Sequence, residues 1–123
     1  MDAKAEIETE AQGRERRIHP RITRVALAVR VGGRTYKTAN WSMGGFMLDD
    51  YEGDLSTGAL VTVAGIGRSA RKLLNVELPA RVVRTSEQVI AVNYLSLDHE
   101  AYDFLQLVMS ETGKMRNLMD ETA

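Results

Sequence analysis

Cysteine is absent from the 123 residues, which excludes disulfides and thiolate-held metals. Histidine is nearly absent. His19 and His99 are the only two, and they lie far apart in the chain, so no metal site and no cofactor are expected. Apolar runs are short. None approaches the roughly 20 residues a membrane span needs, and the N-terminus is too acidic for a signal peptide. The expectation is a soluble, cytoplasmic protein. Charge of one sign is lacking as well: the net charge is −1, which argues against general nucleic-acid binding. Aromatic residues make up 6%, and Tyr36, Trp41, Phe46 and Tyr94 show no paired spacing for stacking bases. Trp41 reads as core or rim. P-loop and dinucleotide fingerprints are missing. The acids Asp49, Asp50, Glu52 and Asp54 crowd one loop and read as a solvated turn. His19 has no sequence partner for a triad, and His99 reads as a surface residue. An enzyme is not expected.

The length suits one domain that buries roughly two thirds of its unfolded surface, so it needs no staples. What is present is uneven. Arg14, Arg16, Arg17, Arg21 and Arg24 crowd one segment, with Glu15 the only acid among them. A basic cluster on a near-neutral chain suggests a local anion site.

Residues 1–13 are polar and read as a flexible tail. Pro20 removes an amide donor and makes the arginine segment a loop. From Val25 the pattern has period two, with Val25, Leu27, Val29 and Val31 on one face. Gly32-Gly33 is a hairpin signal, and its partner strand runs from Arg34 to about Trp41. "SMGG" interrupts, and "FML" resumes. "ALVTVAGI" is a β-branched run. "GRSARKL", with Arg68, Arg71 and Lys72, reads as a flexible basic loop that could also dock a protein. Leu74, Val76, Leu78, Ala80 and Val82 alternate inward on the next strand. Pro79 points outward, which suggests an edge or a bulge. "TSEQ" is a turn, and "VIAVNY" is a strand. Asp98 is a helix N-cap. Ala101, Phe104, Leu105 and Val108 share one helical face, and Gly113 reads as a stop. The fold class is therefore all-β with a C-terminal helix: a six-stranded antiparallel barrel with the helix docked on it.

Two stretches carry the chemistry. "RRIHPR", Arg16 to Arg21, places arginine forks on a loop, and a fork can grip a phosphate or guanine O6 and N7. "NWSMGG" places Asn40 and Ser42 beside Gly44 and Gly45, at a bulge or tight turn that would aim short polar groups out of the sheet. The glycines there permit positive φ and close backbone approach.

Together these stretches resemble the PilZ domain family, whose motifs are R-x-x-x-R followed by D/N-x-S-x-x-G. Here they are "RIHPR" and "NWSMGG", and the resemblance spans residues 14–112. Residues 113–123 form an extension. The resemblance implies a bacterial receptor for cyclic di-GMP. Arg17 and Arg21 would grip phosphates and guanine edges. Asn40 and Ser42 would hydrogen-bond a guanine or the neighbouring phosphate, Gly45 would keep space for the ligand, and Arg16 would add a third fork. Many members carry Asp at the Asn40 position, and Asn lacks that charge. Binding would order the arginine loop and signal through an unidentified effector protein, for example in motility or exopolysaccharide control. The expected state is a monomer or weak homodimer, and Met109, Met115 and Met119 on the C-terminal helix read either as core or as an adaptable apolar surface for a dimer or partner contact. Two alternatives stand beside this reading: a degenerate PilZ module that binds only protein, and a small-barrel binder of single-stranded nucleic acid.

Overall fold

The computed structural model describes residues 21–23 and 25–122, with side chains through Thr112. The tail 1–13, the residues Arg14, Arg16, Arg17, His19, Pro20 and Arg24, and the side chains of Met115 and Met119 lie outside the described residues. Among the described residues, seven strands and one helix follow in order: β1 Ala28–Val31, β2 Arg34–Lys37, β3 Asn40–Ser42, β4 Gly45–Leu48, β5 Leu60–Ser69, β6 Lys72–Ser86, β7 Val89–Tyr94 and α1 His99–Thr122. All strand pairs are antiparallel, in the order β2-β1-β5-β6-β7-β4-β3.

The two outermost strands of that order are consecutive in sequence, separated only by Thr38 and Ala39. The Thr38 amide donates to Leu27 O at 2.8 Å, on the β1 side, and the Ala39 amide donates to Met47 O at 2.8 Å, on the β4 side. One bent segment therefore pairs with both ends of the sheet and rolls it up. The count is seven rather than six because this bend splits the strand expected over 34–41. Rolling the sheet also covers edges that would otherwise pair with other chains.

The alternation of side chains decides the interior. Leu27, Val29 and Val31 point inward, as do Val76, Leu78, Ala80 and Val82 across the barrel. Trp41 and Phe46 are fully buried and fill the centre, with Leu48, Val63, Ile66, Ile90 and Val92. Gly32 and Gly33 turn the first hairpin at φ 61° and 81°. Both central residues of such a turn need the left-handed region, and glycine enters it without steric cost. Tyr51 also turns inward, its ring 5.6 Å from that of Tyr36. The acidic loop around it stays exposed, with Glu52 paired to Arg34 at 2.6 Å.

Three expectations are corrected. Pro79 is not on an edge and no bulge falls on it, because β6 lies between β5 and β7. Its carbonyl accepts from Leu95 N, just past the end of β7. The missing amide thus falls where the ladder ends, so no ladder bond is lost. "GRSARKL" is not a loop: β5 continues to Ser69 and β6 begins at Lys72. Arg68 in that hairpin donates to both carboxylate oxygens of Glu111, at 2.5 and 3.0 Å, and ties the helix to the barrel. The helix also continues through Gly113 to Thr122. One interior glycine costs only about 1 kcal/mol, and no proline follows it.

The start of the helix matches expectation. Asp98 Oδ1 accepts from the Ala101 amide at 2.8 Å. Ala101, Leu105 and Val108 are buried against the barrel core. Truncation Leu105→Ala is expected to cost about 2–5 kcal/mol in urea unfolding, and a cost below 1 kcal/mol would mean that the helix is not part of the core.

The Tyr94 side chain is half-buried overall, but its hydroxyl is sealed from solvent without a partner. Its ring lies 5.9 Å from that of Phe46. Burial pushes the phenol above its usual range. A phenol raised in the folded state favours folding fully below the unfolded value, about 10. That stability is lost as pH rises through the folded value. Tyr94→Phe is therefore expected to match or exceed the parent at pH 8 and to lose less stability by pH 11. Thermal unfolding at both values checks this, and a marked loss at pH 8 would contradict the unpartnered hydroxyl.

Candidate ligand-binding site

The site begins with an isolated bridge between Ile22 and Trp41. The Ile22 amide donates to Trp41 O at 2.6 Å, and the Trp41 amide donates to Ile22 O at 3.0 Å. Ile22 is buried. The Trp41 indole donates to Val25 O at 2.6 Å, which pins the same leader a second time. In antiparallel register, the residue before Ile22 faces the residue after Trp41. Arg21 accordingly meets Ser42, and its Nη1 donates to Ser42 Oγ at 3.3 Å.

Ser42 is nearly buried and sits at the mouth of a two-residue turn, Met43-Gly44, joining β3 to β4. Its hydroxyl also accepts from the Gly44 amide at 3.1 Å, a local side-chain bond that fixes the turn. A tight turn was expected, and one is present. Its glycines permit positive φ. Among the described glycines that region is occupied at Gly32, Gly33 and Gly58, and not at Gly44 or Gly45.

Gly45 is needed for a different reason. A Cβ there would collide with the backbone carbonyl oxygen of Val92 and lie 2.9 Å from Asn93 Cα. The glycine thus lets β4 press against β7. Whatever room it leaves for a ligand comes second to that contact.

Asn40 sits opposite Met47 on β3–β4. Its Oδ1 is buried and has no hydrogen-bond partner. An orphaned buried acceptor costs about 1–3 kcal/mol, and a donor from a ligand would recover it. Arg21, Asn40, Ser42, Gly44 and Gly45 therefore converge on one patch.

The described residues also form a cavity apart from the patch. A cavity of about 560 Å³ opens beside β1, β2 and the β5–β6 turn, with Ala26, Thr35, Lys37, Arg68 and Ser69 in its lining. It includes none of the motif residues. Shape alone offers no polar orphan or arginine–hydroxyl pair in the cavity, whereas the patch has both. Among the described residues, no group of three or more His, Cys, Asp or Glu could hold a metal ion. Among the described residues, no helix is long and apolar enough to cross a membrane.

No family model matches the sequence. No curated protein matches it. Among solved structures, the chain is similar to the crystal structure of the PilZ domain of CeSA from a cellulose synthesizing bacterium. That likeness has 23% sequence identity and a TM-score of 0.47, and covers 73% of this chain and 93% of the other.

Gly45→Ala separates packing from ligand space. The variant is expected to lose about 1–3 kcal/mol of folding stability, the usual cost of overpacking, measured by chemical denaturation without ligand. Parental stability with binding abolished would instead assign the glycine to the ligand.

Proposed function

We propose that this chain is a PilZ-type receptor for cyclic di-GMP, a binding module rather than an enzyme. The supporting observation is the Arg21–Ser42 hydrogen bond at 3.3 Å, which joins the two motifs across 21 residues of sequence. The ligand is a ring of two guanylates carrying two phosphodiester charges. Guanidinium forks suit both its phosphates and its guanine edges. In this reading Arg21 grips a phosphate or a guanine Hoogsteen edge while Ser42 and Asn40 complete the polar contacts. Asn40 Oδ1 accepts from a guanine N–H and so gains the donor it lacks. Arg16 and Arg17 close over the ligand from the leader, which carries the signal to an effector protein in the cytoplasm.

A single-stranded nucleic-acid binder fits less well. Such barrels display aromatic platforms, but Tyr36, Trp41 and Phe46 are all buried here.

Calorimetry with cyclic di-GMP tests the proposal. Saturable binding is expected that GTP and generic oligonucleotides do not match. Arg21→Ala should remove about 1.5–3 kcal/mol of binding for each charge-assisted bond lost, and Ser42→Ala should cost less. Unchanged affinity in Arg21→Ala would place the site elsewhere. Hydrogen exchange over residues 14–24 is expected to slow when ligand is added. Equal protection in both states rules out signalling through the leader.

A further inference from the structure

The strand register extends the patch beyond the two motifs. Asn40 lies opposite Met47, Met47 opposite Ala91, and Ala91 opposite Arg84. These four residues form one row across β3, β4, β7 and β6. Trp41, Phe46 and Val92 in the adjacent row are all buried in the core. Successive strand positions face opposite ways, so the row containing Arg84 faces outward with Asn40.

Arg84 owes its place in that row to an irregularity. The β6–β7 register shifts between Val82 and Arg84. Val82 is fully buried, whereas Val83 in the shift is 42% exposed. A regular strand would send a residue two places after Val82 back to the inner face. The extra residue instead turns Arg84 out, the re-aiming that β-bulges perform.

The side chain then lies back over the sheet. Arg84 Nη2 is 3.5 Å from Met47 Sδ, two strands away and directly opposite Asn40. A thioether is a weak acceptor. Among the described residues, Arg84 has no carboxylate partner. The other arginine on this part of β6, Arg81, is committed to Gly58 O at 3.1 Å. Between the arginine and the motif residues the outer surface is low: Ala91 in this row, and Gly45 beside Asn93 in the row of Ser42.

We infer that Arg84 is a further ligand-binding residue, supplying a guanidinium from the side of the patch opposite Arg21. The inference rests on the cyclic di-GMP reading. A two-fold dinucleotide has two equivalent halves. Arg21 and Ser42 take one of them, and Arg84 takes a phosphate or guanine edge of the other after leaving the Met47 sulfur. Strands lie about 4.8 Å apart, so the row from β3 to β6 spans about 14 Å, a dinucleotide's scale rather than a single base's.

The test is calorimetry with cyclic di-GMP on the full chain, comparing the parent, Arg84→Ala, Arg84→Lys and Arg21→Ala. Thermal unfolding confirms that each variant is folded. Arg84 is exposed, so a stability equal to the parent's is expected. Arg84→Ala should weaken binding roughly tenfold to a hundredfold, and Arg84→Lys, which keeps the charge and loses the fork, should fall between. Binding to GMP, which presents only one half, should be equally weak in the parent and Arg84→Ala. If the parent and Arg21→Ala differ but Arg84→Ala binds like the parent, the role of Arg84 is refuted while the receptor reading stands. If the parent does not bind cyclic di-GMP at all, both fall together.

Discussion

Two backbone hydrogen bonds, between Ile22 and Trp41, fix the relation of everything else at the site. They bridge Ile22 to β3 in antiparallel register. That register decides that Arg21 faces Ser42 instead of solvent. The pair is anchored from below: Trp41 and Ile22 are both buried, and the Trp41 indole holds Val25 as well. Sliding the leader by one residue would expose Ile22 and turn Arg21 away from Ser42, since side chains alternate along an extended chain. The hydrophobic core thus specifies where a cation sits on the surface.

The same logic governs the far side of the patch. A barrel wall built of strict alternation presents every second residue, and a polar surface on it has the spacing of the sheet. The Gly45 contact draws β4 and β7 together without a side chain between them. The register shift in β6 then brings Arg84 into the row that begins at Asn40. Glycine lowers the middle of the surface and the bulge raises its rim. Neither feature adds to the core, and an irregular ladder costs local pairing.

Much of the barrel was legible in the sequence because burial alternates plainly. The inward runs at Leu27 to Val31 and at Val76 to Val82, the Gly32-Gly33 turn and the Asp98 cap all follow from local patterns. Arg21 and Ser42 were singled out for a different reason, their order and type, and the fold brings these two side chains together. What was not legible depends on pairing at a distance. The bend at Thr38 and Ala39 splits one run into two strands because each half finds a different neighbour. "GRSARKL" is rich in charge, yet it is strand, because β5 and β6 pair through it and Glu111 takes up Arg68. Gly113 fails to stop the helix because the penalty for one glycine is smaller than the cooperative gain of continuing. Arg84 carries no local signal, since its outward position depends on a register shift against β7.

The candidate site lies on the outer face of the rolled sheet, away from the packed core. Asn40 and Arg21 project beside the sequence neighbours Trp41 and Ile22, which are buried in the core. Truncating an outward side chain leaves the inward alternation intact. The helix is fastened elsewhere, through Leu105 and Val108 in the core and through Arg68 to Glu111 on the surface. A ligand on the outer face therefore has no route through the packed interior. In the reading proposed above, its effect passes through the chain that borders the patch, where Arg21 already meets Ser42.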